Sequence, residues 1–210
     1  LDLRAAVPIM NPADRFALEA GLRLAASRGG EVIALTVGPE SAEDTVHEAI
    51  AMGADHGVLV VAPAAKGAGL AAALKAALDK LGAVDLVLTG EMGGFDGTGA
   101  LPARLAAALG WPVLLDVCCF QTSDDKLEAV AADAETAFAL PVAGPAVAAV
   151  IPGPDRPRYA HAARIANAWQ PGLVEVWQIA DLQTDPGSLE PDTELGGLVL
   201  GPERTRGEVL

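Results

Sequence analysis

DLVLTGEMGGFDGTGALPARLAAALGWP, Asp85 to Pro112, runs an apolar segment of strand length into a glycine-rich loop and then into an alanine-rich helix. Gly90, Gly93, Gly94, Gly97 and Gly99 crowd the loop. Glycine lets backbone N–H groups turn inward and approach a ligand closely. The N-terminus of the following helix adds further donors and a partial positive charge. The combination predicts a cradle for a phosphate and hence a nucleotide binder. An ordinary turn is the competing reading, because glycine clusters also punctuate loops.

The same strand–helix alternation extends on both sides. Asn11-Pro12-Ala13-Asp14 reads as a helix start, with Asn11 as N-cap, Pro12 in the first helical position and Asp14 as a capping-box acid. Phe16, Ala20 and Leu24 fall on one face, and Gly29-Gly30 closes the helix. Val32–Val37 is a continuous apolar run, the pattern of a strand covered on both faces. Ser41 reads as the cap of a second helix that ends at Gly53, followed by a strand over Gly57–Ala62. A third helix spans Gly67–Leu81, a third strand Asp85–Thr89, and a fourth helix ends at Gly110 ahead of a strand over Val113–Phe120. This order predicts an α/β fold: an open, mostly parallel, Rossmann-like sheet with helices on both faces. Ligands in such sheets bind outside the carboxyl ends of the strands. The glycine loop and Val37-Gly38-Pro39 both stand at such ends.

Beyond Phe120 the texture changes. Lys126–Leu140 and Ala146–Ile151 read as an antiparallel pair added to the sheet, and Ile165–Trp169 as a short helical piece. From Asp181 onward the chain is acidic, rich in Pro and Gly and poor in periodicity. The expected division is a nucleotide-binding domain over residues 1–180 and an extended C-terminal arm over 181–210 that packs on a partner subunit.

A formal net charge of −14 argues against nucleic acid and anionic membrane as partners, since phosphate backbones call for Lys and Arg. No apolar run approaches the length of a membrane span, and no basic segment followed by an apolar one opens the sequence. Cys118 and Cys119 are adjacent. Strand neighbours point to opposite faces, so reduced thiols in a cytoplasmic setting are expected. His47, His56 and His161 lie near no cysteine at metal-ligand spacing, and each reads as a surface or supporting histidine. The glycine loop lacks the Lys-Ser/Thr of a P-loop and the G-x-G-x-x-G of dinucleotide binders. No G-x-S-x-G elbow is present, and Glu91 and Asp96 read as solvated loop acids. The chain reads as a binder with no catalytic residues.

Several segments together resemble the beta subunit of electron transfer flavoproteins. They are Asn11-Pro12-Ala13-Asp14 with Ala17-Leu18-Glu19, Val37-Gly38-Pro39, Ala51-Met52-Gly53-Ala54-Asp55, Asp85–Gly90 and the loop through Gly110-Trp111-Pro112. Pro145-Ala146-Val147, Pro157-Arg158-Tyr159 and Val174-Glu175-Val176-Trp177 complete the ordered set. The resemblance implies a heterodimer with a flavin-binding alpha subunit and an FAD held mainly by that partner. It also implies a structural AMP, or in bifurcating members a second FAD, in this chain. Electrons would pass from flavin dehydrogenases to a respiratory acceptor. By position, the nucleotide would touch Asn11, Pro12, Ala13, Asp14, Val37, Gly90, Gly94, Phe95, Asp96, Gly97, Thr98, Gly99, Ala100 and Leu101. Arg158, Tyr159, His161 and Ala162 would fall in the partner-recognition segment.

Departures from the family pattern carry further expectations. The family begins with a strand ahead of the Asn-Pro segment. This sequence starts at Leu1 without it, which points to a fragment. Glu91 stands where a basic residue is common and Ala100 where a polar one is, so a weaker hold on the phosphate is expected. Ala131-Ala132 stand near the position of an absent Asp-Gly-Gly, which bears on the contact with the flavin-side subunit. Ala162 occupies the place of an anchoring leucine, and Asn167 and Trp169 replace a lysine cluster, which implies partners other than ordinary acyl-CoA dehydrogenases. A stand-alone adenine-nucleotide-binding or sensing module on the same fold is the alternative. A nucleotide alpha-hydrolase or ligase ranks last for want of a serine-and-glycine pyrophosphate loop.

Overall fold

A computed structural model describes residues 8–62, 65–93, 98–123, 126–133 and 135–182. Residues 183–210 of the expected C-terminal arm and Gly94–Gly97 of the glycine loop lie outside the described residues.

Helix α1 (Pro12–Arg28) starts as its sequence dictates. Asn11 Oδ1 accepts from the Ala13 N–H at 3.4 Å, and Pro12 fills the first position, where a missing N–H costs nothing. Strand β1 (Ile33–Gly38) follows. The next helix departs from expectation: Ser41 does not cap it. Pro39 instead opens a 3₁₀ turn over Glu40–Ala42, and its carbonyl accepts from the Ala42 N–H at 2.9 Å. Helix α2 (Glu43–Met52) continues directly from that turn without a side-chain cap. Strand β2 (His56–Val61), helix α3 (Ala68–Leu81), strand β3 (Leu86–Gly90) and helix α4 (Leu101–Leu109) then alternate as predicted. Strands β4 (Val113–Ser123), β5 (Lys126–Ala132), β6 (Ala137–Val142) and β7 (Ala146–Val150) precede helix α5 (Ala162–Ala168) and strand β8 (Val174–Gln178).

The strands form two sheets. One is parallel throughout, in the order β1-β2-β8. The other is mixed, in the order β3-β7-β4-β5-β6. Here the expectation of an antiparallel pair between Lys126–Leu140 and Ala146–Ile151 is overturned. The antiparallel addition is the β5–β6 hairpin laid against β4. Strand β7 runs parallel between β3 and β4, and all five of its residues are buried. The physical reason lies in its composition: Ala-Val-Ala-Ala-Val has no polar face to present to water, so an interior position between parallel neighbours is where it fits.

Each face of β2 meets a different helix. Leu59 packs with Val46, Ala49 and Ile50 of α2, whereas Val58 and Val60 join Ala76 and Ala77 of α3 and Trp177 of β8. Helix α2 comes so near the sheet that a Cβ on Gly57 would stand 2.1 Å from Val46 Cγ1. The two sheets share core. Leu78 of α3, Leu105 and Ala106 of α4 and Val147 of β7 form one cluster, against which both Leu35 of β1 and Val87 of β3 pack. Helix α1 packs on the mixed sheet, where Gly21 comes close to Leu88 of β3 and to Val32 just ahead of β1.

Candidate functional site

The start of α1 is locked to the end of β3. Asp14 Oδ1 accepts from the Gly90 N–H at 2.6 Å, and Asn11 Nδ2 donates to the Met92 carbonyl at 2.7 Å. The expected capping-box role of Asp14 is therefore corrected: its carboxylate serves a strand 76 residues away instead of the amide of its own N-cap. Burial pushes the Asp14 carboxyl above its ordinary range, against the lowering effect of the Gly90 amide and Asn11. The role of Gly90 is also clarified. A Cβ there would sit 2.6 Å from Ala13 Cβ and 2.7 Å from the Ala13 carbonyl carbon. This glycine is required by the approach of a helix terminus, whatever else comes near.

The loop leaves β3 in register with the sheet, as the Glu91 N–H donates to the Val150 carbonyl at 3.1 Å. It returns through Thr98, whose Oγ1 accepts from the Ala100 N–H at 3.5 Å, and through Gly99 at φ +61°, into Leu101 and Pro102 at the start of α4. No side chain caps α4 at Ala100. The first turn of a helix and its dipole favour an anion, although here the Ala100 N–H is already given to Thr98. Thr89 Oγ1 is buried at the end of β3 and has no hydrogen-bond partner among the described residues. A buried hydroxyl without a partner is uncommon in native proteins and marks where a further polar group belongs.

The structure thus brings together Asn11, Pro12, Ala13 and Asp14 with Gly90, and sets Thr98, Gly99, Ala100 and Leu101 at the mouth of α4. Gly94, Phe95, Asp96 and Gly97 fall outside the described residues. Val37 stands near the carboxyl end of β1, in the other sheet.

The residues expected to meet a partner divide. Tyr159 is 95% exposed, and Ala162 is exposed at the start of α5. His161 is engaged as the helix N-cap, its Nδ1 accepting from the Ala163 N–H at 3.3 Å. Arg158 binds inward: Nε donates to Glu19 Oε2 at 2.7 Å and Nη2 to Oε1 at 3.1 Å. Glu19 also receives Arg23 at 2.9 Å, and Arg23 reaches Asp155 at 3.0 Å. Burial alone would raise the Glu19 carboxyl, but the hydrogen bonds and charge of Arg158, with Arg23, outweigh it and hold it below its ordinary range. Sequence reasoning gave Glu19 no role. The available signal was an acid in a helix whose neighbours are mostly apolar.

Of the two readings given for His47, surface or supporting, it takes the supporting one. It is buried, its Nδ1 lies 2.8 Å from the Ala168 carbonyl, and its ring stacks on Trp169 with centroids 3.9 Å apart. It fastens α2 to the end of α5. A surface cleft of about 240 Å³ beside it is lined by Glu43, His47, Trp169, Gln170, Pro171, Gly172 and Val174. Among the described residues no three His, Cys, Asp or Glu side chains converge as a metal site, and no helix is long and apolar enough to cross a membrane.

Residues 4–181 match the electron transfer flavoprotein domain. The chain is 31% identical over 191 residues to the electron transfer flavoprotein subunit beta of Thermoanaerobacterium thermosaccharolyticum, covering 89% of this chain and 73% of that protein. It is 32% identical over 190 residues to the caffeyl-CoA reductase–Etf complex subunit CarD of Acetobacterium woodii, covering 88% and 72%. It is 30% identical over 212 residues to the subunit beta of Bacillus subtilis, covering 96% and 79%. With the domain match spanning most of the sequence and such relatives covered over more than two thirds of their length, the chain belongs to the electron transfer flavoprotein family, on its beta-subunit side.

Proposed function

We propose that this chain is the beta-type half of a two-subunit electron carrier. It binds AMP, or a second FAD, at the junction of α1, β3 and α4. A flavin-binding alpha subunit holds the FAD through which electrons pass from flavin dehydrogenases to a respiratory acceptor. The observation that carries this reading is the joint between Asn11–Asp14 and Gly90–Met92 beside the uncapped start of α4, in a chain matched to the family over residues 4–181.

The residues present fit an adenylate. The amides of Gly99 and Leu101 would receive its phosphate, and the Thr89 hydroxyl, which has no partner among the described residues, has hydrogen-bonding capacity left to give. Asp14 is committed to Gly90, so it builds the floor of the site and does not itself bind the phosphate. When bound, flavin supplies the redox chemistry, and the protein's part is to hold it, orient it and set its surroundings. Assembly with partners is supported by the relative whose name places it in a caffeyl-CoA reductase–Etf complex.

Tyr159, Ile165 at 49% and Trp169 at 57% exposure offer an apolar surface around α5 for the electron donor. With Ala162 in place of a leucine anchor, this surface selects donors other than ordinary acyl-CoA dehydrogenases.

Co-expression with an electron transfer flavoprotein alpha subunit from the same source tests the proposal. A yellow heterodimer that releases an adenine nucleotide on denaturation is the expected result. A colourless monomer that binds AMP without a partner overturns the carrier reading and leaves the nucleotide-binding module. In a pull-down with the heterodimer, tight capture of an ordinary acyl-CoA dehydrogenase contradicts the assigned partner choice.

A further inference from the structure

Adjacent cysteines on a regular strand point to opposite faces of the sheet. Cys118 and Cys119 do not: their sulfurs lie 4.0 Å apart. The cause is in the backbone of β4. Against β5, Val117 pairs with Ala131 and Cys119 with Val130, so Cys118 is an extra, unpaired residue. Against β7, Leu114 pairs with Ala148 and Val117 with Val150, so a second extra residue falls just upstream, where Asp116 adopts φ +56°. Bulges redirect side chains in this way and recur near functional positions. The distortion is held from outside. The Ile151 N–H donates to the Val117 carbonyl at 2.9 Å, and the backbone at Gly153 lies so close that a Cβ there would stand 2.0 Å from the Cys118 carbonyl oxygen. Both thiols remain partly accessible.

We infer that Cys118 and Cys119 form a vicinal dithiol that is reversibly oxidised to a disulfide by a low-molecular-weight disulfide. One cysteine thiolate attacks a sulfur of the incoming disulfide and expels one thiolate, leaving a mixed disulfide on the protein. The second cysteine sulfur then displaces the remaining thiol and closes the ring. Two electrons pass from the cysteine pair to the incoming disulfide, and the two cysteine protons end on the two thiols released. Burial, the neighbouring Cys118 sulfur and the charge of Asp155 push the Cys119 thiol up to about 11. Consecutive Cα atoms are about 3.8 Å apart, below the usual spacing of bridged cysteines, which makes the ring easy to reduce and suits a switch more than a staple. The switch is wired to the candidate nucleotide site: Val117 bonds Ile151, and the adjoining Val150 carbonyl holds Glu91 at the start of the glycine loop.

The test is to treat the full chain with oxidised glutathione and follow the peptide carrying both cysteines by mass spectrometry. Expected is loss of two hydrogens with no lasting glutathione adduct, full reversal by dithiothreitol, and closure about tenfold faster in the folded than in the urea-denatured chain, because the fold holds the sulfurs together. Cys118→Ser or Cys119→Ser should each leave a stable mixed disulfide on the remaining sulfur, because no second thiol is present to close the ring. A stable adduct on the unaltered chain, disulfide-linked dimers, or equal rates in folded and denatured protein would each overturn the proposal.

Discussion

Strands β2 and β7 differ from β1 and β3 in burial far more than in composition. The interior four residues of β2 and all five of β7 are buried, whereas every residue of β1 and all but Gly90 of β3 are only partly so. All four strands are dominated by apolar residues. The difference is neighbours: β2 and β7 are paired on both sides, while β1 and β3 each end a sheet. Helix α1 packs beside these ends, with Gly21 against Leu88 of β3 and Val32 just ahead of β1. Burial of a strand is therefore decided by the company it keeps, and a continuous apolar run states only that such company is wanted.

The sharpest way to break this contrast is a pair of truncations. Leu59→Ala in β2 should cost about 2–5 kcal/mol, because the site is fully enclosed and leaves a cavity. Leu35→Ala in β1 removes the same atoms from a half-buried position and should cost less than half as much, measured by urea unfolding. Equal losses would mean that the edge strand is as enclosed as the interior one.

Gly57→Ala comes next. Its new methyl meets Val46 Cγ1, so α2 must shift, at about 1–3 kcal/mol. A silent substitution would show that α2 is less tightly seated on β2 than the packing implies.

The tie between α1 and the segment ahead of α5, made by Glu19 and Arg158, can be titrated. Because the folded Glu19 carboxyl ionises below its unfolded value of 4.5, the folded state binds fewer protons in that window. Its contribution is present above pH 4.5 and lost as pH falls through the folded value. Glu19→Gln should lower stability by about 1 kcal/mol at neutral pH, discounted for the partly exposed Arg158. The gap from the unaltered chain should close on acidification. A gap that persists undiminished at low pH would assign the loss to packing instead of charge.

The smallest effect is expected at Gly144, between the hairpin and β7, where a Cβ meets nothing within 4 Å. Gly144→Ala should be neutral or stabilise by up to about 1 kcal/mol through the unfolded chain. A clear loss of melting temperature would reveal a constraint on that connection.

Much of this molecule was legible from local pattern. Asn11-Pro12 set the start of α1, glycines set the ends of α1, α2 and α3, and the apolar runs marked β1, β2 and β3 within a residue or so. These are decisions of φ, ψ and side-chain period, and neighbouring residues suffice to make them. What pattern could not reach was choice of partner. That β7 inserts parallel between β3 and β4, that Asp14 serves Gly90, that Glu19 takes Arg158 from 139 residues away, and that a bulge turns Cys118 and Cys119 together were settled only in three dimensions. Many partners satisfy a buried strand, acid or thiol equally well on paper. Which one it meets depends on how the whole chain closes its core, and that free energy is shared among contacts no single segment contains.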